Sequence, residues 1–128
     1  MDALLDTHTL IWATTFPPTL SSNAAEFIAS NQNRLFVSAA SAWEIATKVR
    51  IGKLPGAEGL ERDFIAIINR AGYLQLPIAA INGLEAGRMQ GKHKDPFDRM
   101  IAAQALALDI PVISNDAELD TFGVRRIW

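Results

Sequence analysis

The chain has no cysteine, no long apolar run and no surplus of basic residues. Without cysteine it has no disulfide framework, no zinc–thiolate site and no thiol nucleophile. The longest near-continuous apolar stretch, residues 100–108, is interrupted by Gln104. It falls well short of the roughly 20 residues a membrane-spanning helix requires. The opening residues MDALLDTHTLIW carry no positive segment of the kind that begins a secretory signal. A cytoplasmic protein away from membranes is therefore expected. The net charge of −2 argues against a tight nonspecific nucleic-acid binder. It is compatible with an enzyme that handles nucleic acid transiently, because the carboxylates of a nuclease site lower the total. What remains is an ordinary globular mixture, 49% hydrophobic and 20% charged over 128 residues. Residues 1–128 are expected to form a single domain that buries about two-thirds of its unfolded surface. Leu, Ile, Val and Phe are too abundant for disorder.

Short apolar runs alternate with helical spacing. Strands are expected at residues 3–5, 35–37, 73–76, 110–113 and 124–127. Helices are expected at residues 7–13, 24–30, 60–71, 78–88 and 95–108, with one or two turns at 116–122. Ser41-Ala42-Trp43-Glu44 matches a capping box, so another helix should open there and stop before Gly52. Asp95-Pro96 is a strong helix start. Residues 101–108 are apolar on almost every face and predict a fully buried helix. Brief apolar strands alternating with helices predict a parallel sheet covered on both faces, a three-layer α/β/α sandwich.

Four acids stand out by position. Asp6 follows the first strand and Asp116 the fourth. Glu44 lies in the first turn of the helix after the second strand. Parallel sheets bind ligands outside the carboxyl ends of their strands, which places these three on the binding edge. Asp98 precedes its strand, so an ordinary crossover is expected to start its helix at the opposite edge. Spacing alone does not bring Asp98 to the others. Each acid also has a capping reading, since acids favour helix N-termini: Glu44 partnering Ser41, Asp98 standing behind Asp95. Converged carboxylates would repel unless a cation lay among them. Mg²⁺ prefers such oxygen ligands, and Mn²⁺ is expected to substitute.

The segments Leu4-Leu5-Asp6-Thr7-His8-Thr9-Leu10-Ile11-Trp12, Ser38-Ala39-Ala40-Ser41-Ala42-Trp43-Glu44-Ile45, His93-Lys94-Asp95-Pro96-Phe97-Asp98-Arg99-Met100-Ile101-Ala102-Ala103-Gln104-Ala105 and Val112-Ile113-Ser114-Asn115-Asp116 resemble, in order, the acidic motifs of PIN-domain proteins. More narrowly they resemble the VapC-type toxins of type II toxin–antitoxin pairs. The resemblance implies a five-stranded, mostly parallel sheet in the order 3-2-1-4-5 and a long helix that carries Asp98 into the cluster. It implies a Mg²⁺-dependent endoribonuclease that leaves a 5′-phosphate, with Asp6, Glu44, Asp98 and Asp116 as the catalytic acids. Asp6 and Asp98 match the main metal ligands, and Glu44 and Asp116 the supporting ones. Thr7 and Ser114 match small polar positions that hold a ligand, a water or a phosphate. A cognate antitoxin and a homodimer are the implied partners.

The other polar groups have two readings each. Lys48, Arg50 and Lys53 form one basic patch, and Lys92, His93, Lys94 and Arg99 another. Either is a solvated face or a phosphate contact, with Lys48, Lys92, Lys94 and Arg99 the candidates for RNA. His8 and His93 could be metal ligands or general bases, but the chemistry the resemblance implies needs neither, and His8 is expected to be a partly buried, hydrogen-bonded histidine. Trp12 and Trp43 are expected in the core or at a dimer interface, with base stacking as the alternative. A non-catalytic PIN-like module that binds RNA or protein is the alternative function, and the four acids argue against it. A receiver-type signalling domain would need a phospho-acceptor Asp after strand three, where Leu76-Pro77 stands.

Overall fold

The computed structural model describes residues 1–128. Its five strands are β1 (Asp2–Leu5), β2 (Arg34–Ser38), β3 (Leu74–Leu76), β4 (Val112–Ile113) and β5 (Arg126–Ile127). All pair in parallel, in the order β3-β2-β1-β4-β5. Seven α-helices connect them: α1 (Thr7–Thr15), α2 (Ser22–Ala29), α3 (Ala39–Arg50), α4 (Glu58–Arg62), α5 (Phe64–Ala71), α6 (Ala80–Arg88) and α7 (Pro96–Leu108). No helix is long and apolar enough to cross a membrane.

The alternation of side chains along each strand sorts the core into two layers. Ala3 and Leu5 of β1, Leu35 and Val37 of β2 and Ile113 of β4 join one cluster. They pack there with Leu10 and Ile11 of α1, Ala24 of α2, Ile45 of α3, Leu60 of α4 and Ile68 of α5. Leu4 and Val112 face the other way and pack with Ile101, Ala102 and Ala105 of α7 and with Leu119 and Phe122. The sheet is thus covered on both faces, the three-layer sandwich expected.

Local boundaries depart from expectation in instructive places. α3 starts at Ala39, because Ser38 at the end of β2 is already extended and its side chain accepts from the Ala40 N–H. Ser41 is therefore inside the helix, and no capping box joins it to Glu44. The helix expected over 60–71 breaks at Asp63 into α4 and α5. Gly72, at φ 79°, ends α5 in the left-handed region that glycine adopts without strain. α7 begins as expected, with Asp95 accepting from the N–H groups of Phe97 and Asp98 and Pro96 following it. It is buried only as far as Ala105; Leu106 and Leu108 are exposed, so the helix is not fully enclosed.

Crossover spacing alone put Asp98 at the far edge, whereas the resemblance implied a long helix that carries it into the cluster; the structure has the second arrangement. A helix linking two parallel strands runs antiparallel to both, so its first turn is at their carboxyl edge. α7 descends towards the start of β4, and its N-terminus stands beside the ends of β1 and β4.

Gln104 locks α7 in that position. It is 1% exposed. Its Oε1 accepts from Ser38 Oγ at 2.5 Å and its Nε2 donates to the Pro77 carbonyl at 3.0 Å. Gln104→Leu keeps the volume but strands both partners, so it should cost about 1–3 kcal/mol in urea unfolding. An unchanged midpoint would show that these hydrogen bonds contribute nothing net.

Candidate active site

The carboxyl edge of the sheet is built from strand ends and helix starts. Asp6 follows β1 and caps α1, accepting from the Thr7 N–H at 2.8 Å. Its second oxygen accepts from Ser114 Oγ at 2.7 Å, and Ser114 Oγ itself accepts from the Asp116 N–H at 3.0 Å. Ser114 thus ties together the acids that follow β1 and β4. Asp116 caps a 3-10 helix over Ala117–Phe122 by accepting from the Glu118 N–H. Asp6 is 5% exposed, and burial raises its pKa against the pull of Ser114 and the Thr7 N–H.

Glu44, on α3, is 2% exposed. Its Oε2 pairs with Lys48 one turn later, and its Oε1 is buried without any hydrogen-bond partner. On α7, Asp98 Oδ2 lies 2.7 Å from His93 Nε2, and His93 Nδ1 lies 3.0 Å from Glu118 Oε2. Burial pushes the Asp98 carboxyl up to about 6. The His93 contact lowers it, while Asp6, Asp95 and Glu44 raise it further. Ligand atoms of His93, Asp98 and Asp116 lie within 4.8 Å of one another.

All four acids singled out in the sequence line one cleft of about 470 Å³. Its remaining walls are His8, Trp12, Lys48, Asp95 and Asn115. Carboxylates therefore dominate the cleft, and Lys48 is its one lysine. The carboxylates offer only acceptors to each other, and Glu44 Oε1 is buried with no donor. A hard divalent cation would supply the missing positive charge, and an oxygen-rich donor set of this kind suits Mg²⁺ or Mn²⁺. The residues present fit such an ion.

Several candidates have other surroundings. Thr7 is 1% exposed, and its hydroxyl is 2.9 Å from Ser41 Oγ, so it joins α1 to α3 and does not face the cleft. The Arg99 guanidinium donates to the carbonyls of Ala86, Met89, Gly91 and His93. It lashes the segment before α7 in place and is not part of an open basic patch. Lys48 is held by Glu44 inside the cleft, whereas Lys92 and Lys94 are exposed. His8 is exposed and lies against Trp12, contrary to the partly buried state expected. Trp12 packs on the core, but Trp43 is 62% exposed, edge-on to Phe97. The sequence offered His93 as a possible metal ligand or general base, but not its direct contact with Asp98. The signal was its place five residues ahead of that acid, across a Pro-started helix.

Against known proteins, a family model for the PIN domain matches residues 3–124, and the chain belongs to that family. Similar solved structures include VapBC2 from Rickettsia felis, bound to a DNA fragment from their promoter. It shares 18% identity over 98% of this chain and 97% of that one, with a TM-score of 0.72. VapC20 of Mycobacterium tuberculosis, a Sarcin-Ricin loop cleaving toxin, aligns over 95% of each chain at 15% identity and a TM-score of 0.67. VapBC-1 from nontypeable Haemophilus influenzae aligns at 20% identity over 98% and 96%, with a TM-score of 0.64. No curated protein sequence matches the chain.

The raised carboxyls have a consequence for stability. Folded Asp98, at about 6, holds its proton more tightly than the unfolded chain does at 3.8. That stabilisation is complete below the unfolded value and is lost as pH rises through about 6. His93 is also raised, by its contact with Asp98, and its contribution is likewise lost as pH rises through its folded pKa. In EDTA, the melting temperature should fall as pH rises from about 4 to about 6, and Asp98→Asn should flatten that fall. A wild-type profile that rises over this range would contradict the assignment of charge in the cleft.

Proposed function

We propose that this protein is a metal-dependent endoribonuclease and the toxin of a type II toxin–antitoxin pair, working in the cytoplasm as one domain. The observation that carries the reading is the convergence of Asp6, Glu44, Asp98 and Asp116, from four separated segments, on one cleft of a PIN domain. The likeness to VapC20, a cleaving toxin, and to two VapBC proteins supports the toxin assignment.

Asp6 and Asp98 would be the principal ligands of Mg²⁺, with Mn²⁺ able to substitute, and Glu44 and Asp116 would complete or orient the set. The bound metal would supply Lewis-acid stabilisation of charge at the reacting phosphodiester. The chain's own groups prepare that site. Ser114 fixes the direction of Asp6, and His93 Nε2 fixes Asp98. Lys48 partly offsets the charge of Glu44 and stands where a phosphate oxygen could replace one carboxylate contact. Lys92 and Lys94 are exposed near the start of α7 and would meet phosphates farther along the strand. An antitoxin would inhibit by occupying the same cleft, where a cationic side chain is complementary to the acids. A homodimer is the proposed assembly.

Sequencing of RNA ends after induced expression tests the activity, and purified protein tests its metal dependence. Chelation should abolish cleavage, and Asp98→Asn and Asp116→Asn should each lower it by at least about 10²-fold while the fold persists. Undiminished cleavage in excess EDTA would exclude the metal-dependent reading. Lys92→Ala with Lys94→Ala should reduce the salt dependence of RNA affinity, by about 0.7 in slope per lost contact.

A further inference from the structure

The cleft has one wall that the acids do not explain. His8 and Trp12 are four residues apart on α1, so they share a face of the helix. Their rings lie 5.7 Å apart, between centroids, and both line the cleft. Trp12 is half-buried and is backed in turn by Trp128, whose ring is 5.8 Å away. The platform is therefore held by the core, while its outer ring, His8, is exposed. Asn115 also lines the cleft and is exposed, immediately before Asp116.

None of these three side chains is a lysine or arginine, and none is a carboxylate. Together they offer two flat rings and an amide with both a donor and an acceptor. That combination matches an unpaired nucleobase: a π-face for the rings and a polar edge for the amide. Its location matters as much as its chemistry. His8 is two residues from Asp6 and Asn115 is next to Asp116, so a base held there belongs to a nucleotide adjoining the acids. Exposed Trp43 and half-buried Phe97 form another aromatic pair, but they line a separate, mostly apolar groove.

We propose that His8, Trp12 and Asn115 form a nucleobase subsite that seats one base of single-stranded RNA beside the acids and biases where the strand is cut. The proposal rests on the ribonuclease reading. His8 and Trp12 supply stacking, and Asn115 supplies discrimination between base edges.

The test uses the full chain in an Asp116→Asn background, so that RNA persists, and single-stranded hexaribonucleotides carrying one 2-aminopurine. Binding should quench the 2-aminopurine, as stacking on a ring does. His8→Ala and Trp12→Leu should weaken binding by about 10-fold or more and reduce the quench. Trp12→Phe should retain both, and Trp43→Ala should leave both unchanged. Asn115→Ala should narrow the spread of affinities among oligonucleotides of A, C, G and U. Because Trp12 also packs on the core, the exposed His8 is the decisive position. Equal binding and equal quench in His8→Ala and Trp12→Leu would overturn the subsite, as would equal affinity for an oligonucleotide with an abasic site. If the wild type cuts RNA under those outcomes, the ribonuclease reading stands without the subsite. If it neither binds nor cuts any of these RNAs, both are overturned.

Discussion

The structure depends on holding carboxylates together that would otherwise repel. Asp6, Glu44, Asp95, Asp98 and Asp116 share one cleft with a single lysine. In low dielectric such a grouping disfavours charge, and the pKa of Asp98 reports this: burial and three acidic neighbours push it up to about 6. A chain free to relax would separate these groups. This one cannot, because each acid is fixed by something other than its neighbours.

The fixing elements are the ends of secondary structure. Asp6 caps α1, Asp95 caps α7 and Asp116 caps the 3-10 helix. Each carboxylate so placed meets N–H groups and the positive end of a helix, which partly offsets the repulsion. Ser114 cross-links Asp6 to the backbone of Asp116, and Gln104 locks α7 against the end of β2. Arg99 secures the segment that carries His93 by donating to four carbonyls. The backbone is thus tied down at every point where the side chains push apart. The unsatisfied demand is left at the side-chain oxygens, most plainly at Glu44 Oε1.

Much of this arrangement was legible in the residues. Alternating apolar strands and helical spacing marked a layered parallel sheet, because side-chain periodicity follows directly from burial. Asp6, Glu44 and Asp116 could be placed at the carboxyl edge from their position after strands. Asp98 could not be placed from spacing alone, and only the resemblance to the PIN motifs brought it to the others; the antiparallel course of a crossover helix is the physical reason it lies there. Long-range polar partners were less accessible. Ser41 read as a cap because its neighbours fit the pattern, but Ser38 reached the helix N–H first. Thr7 and Arg99 read as ligand or phosphate contacts because side-chain type alone does not reveal a buried serine 34 residues away or four nearby carbonyls. His93 carried no periodic signal at all, since its role comes from a loop folding back on α7.

The central claim is that the clustered acids form a cation site, and a direct measurement is titration of Mn²⁺ followed by its electron paramagnetic resonance signal. The account predicts saturable loss of the free-ion signal with the wild-type protein, competition by Mg²⁺, and a clear loss of affinity in Asp98→Asn and Asp6→Asn that remain folded. Binding that is absent, or equally strong in both variants, would contradict it.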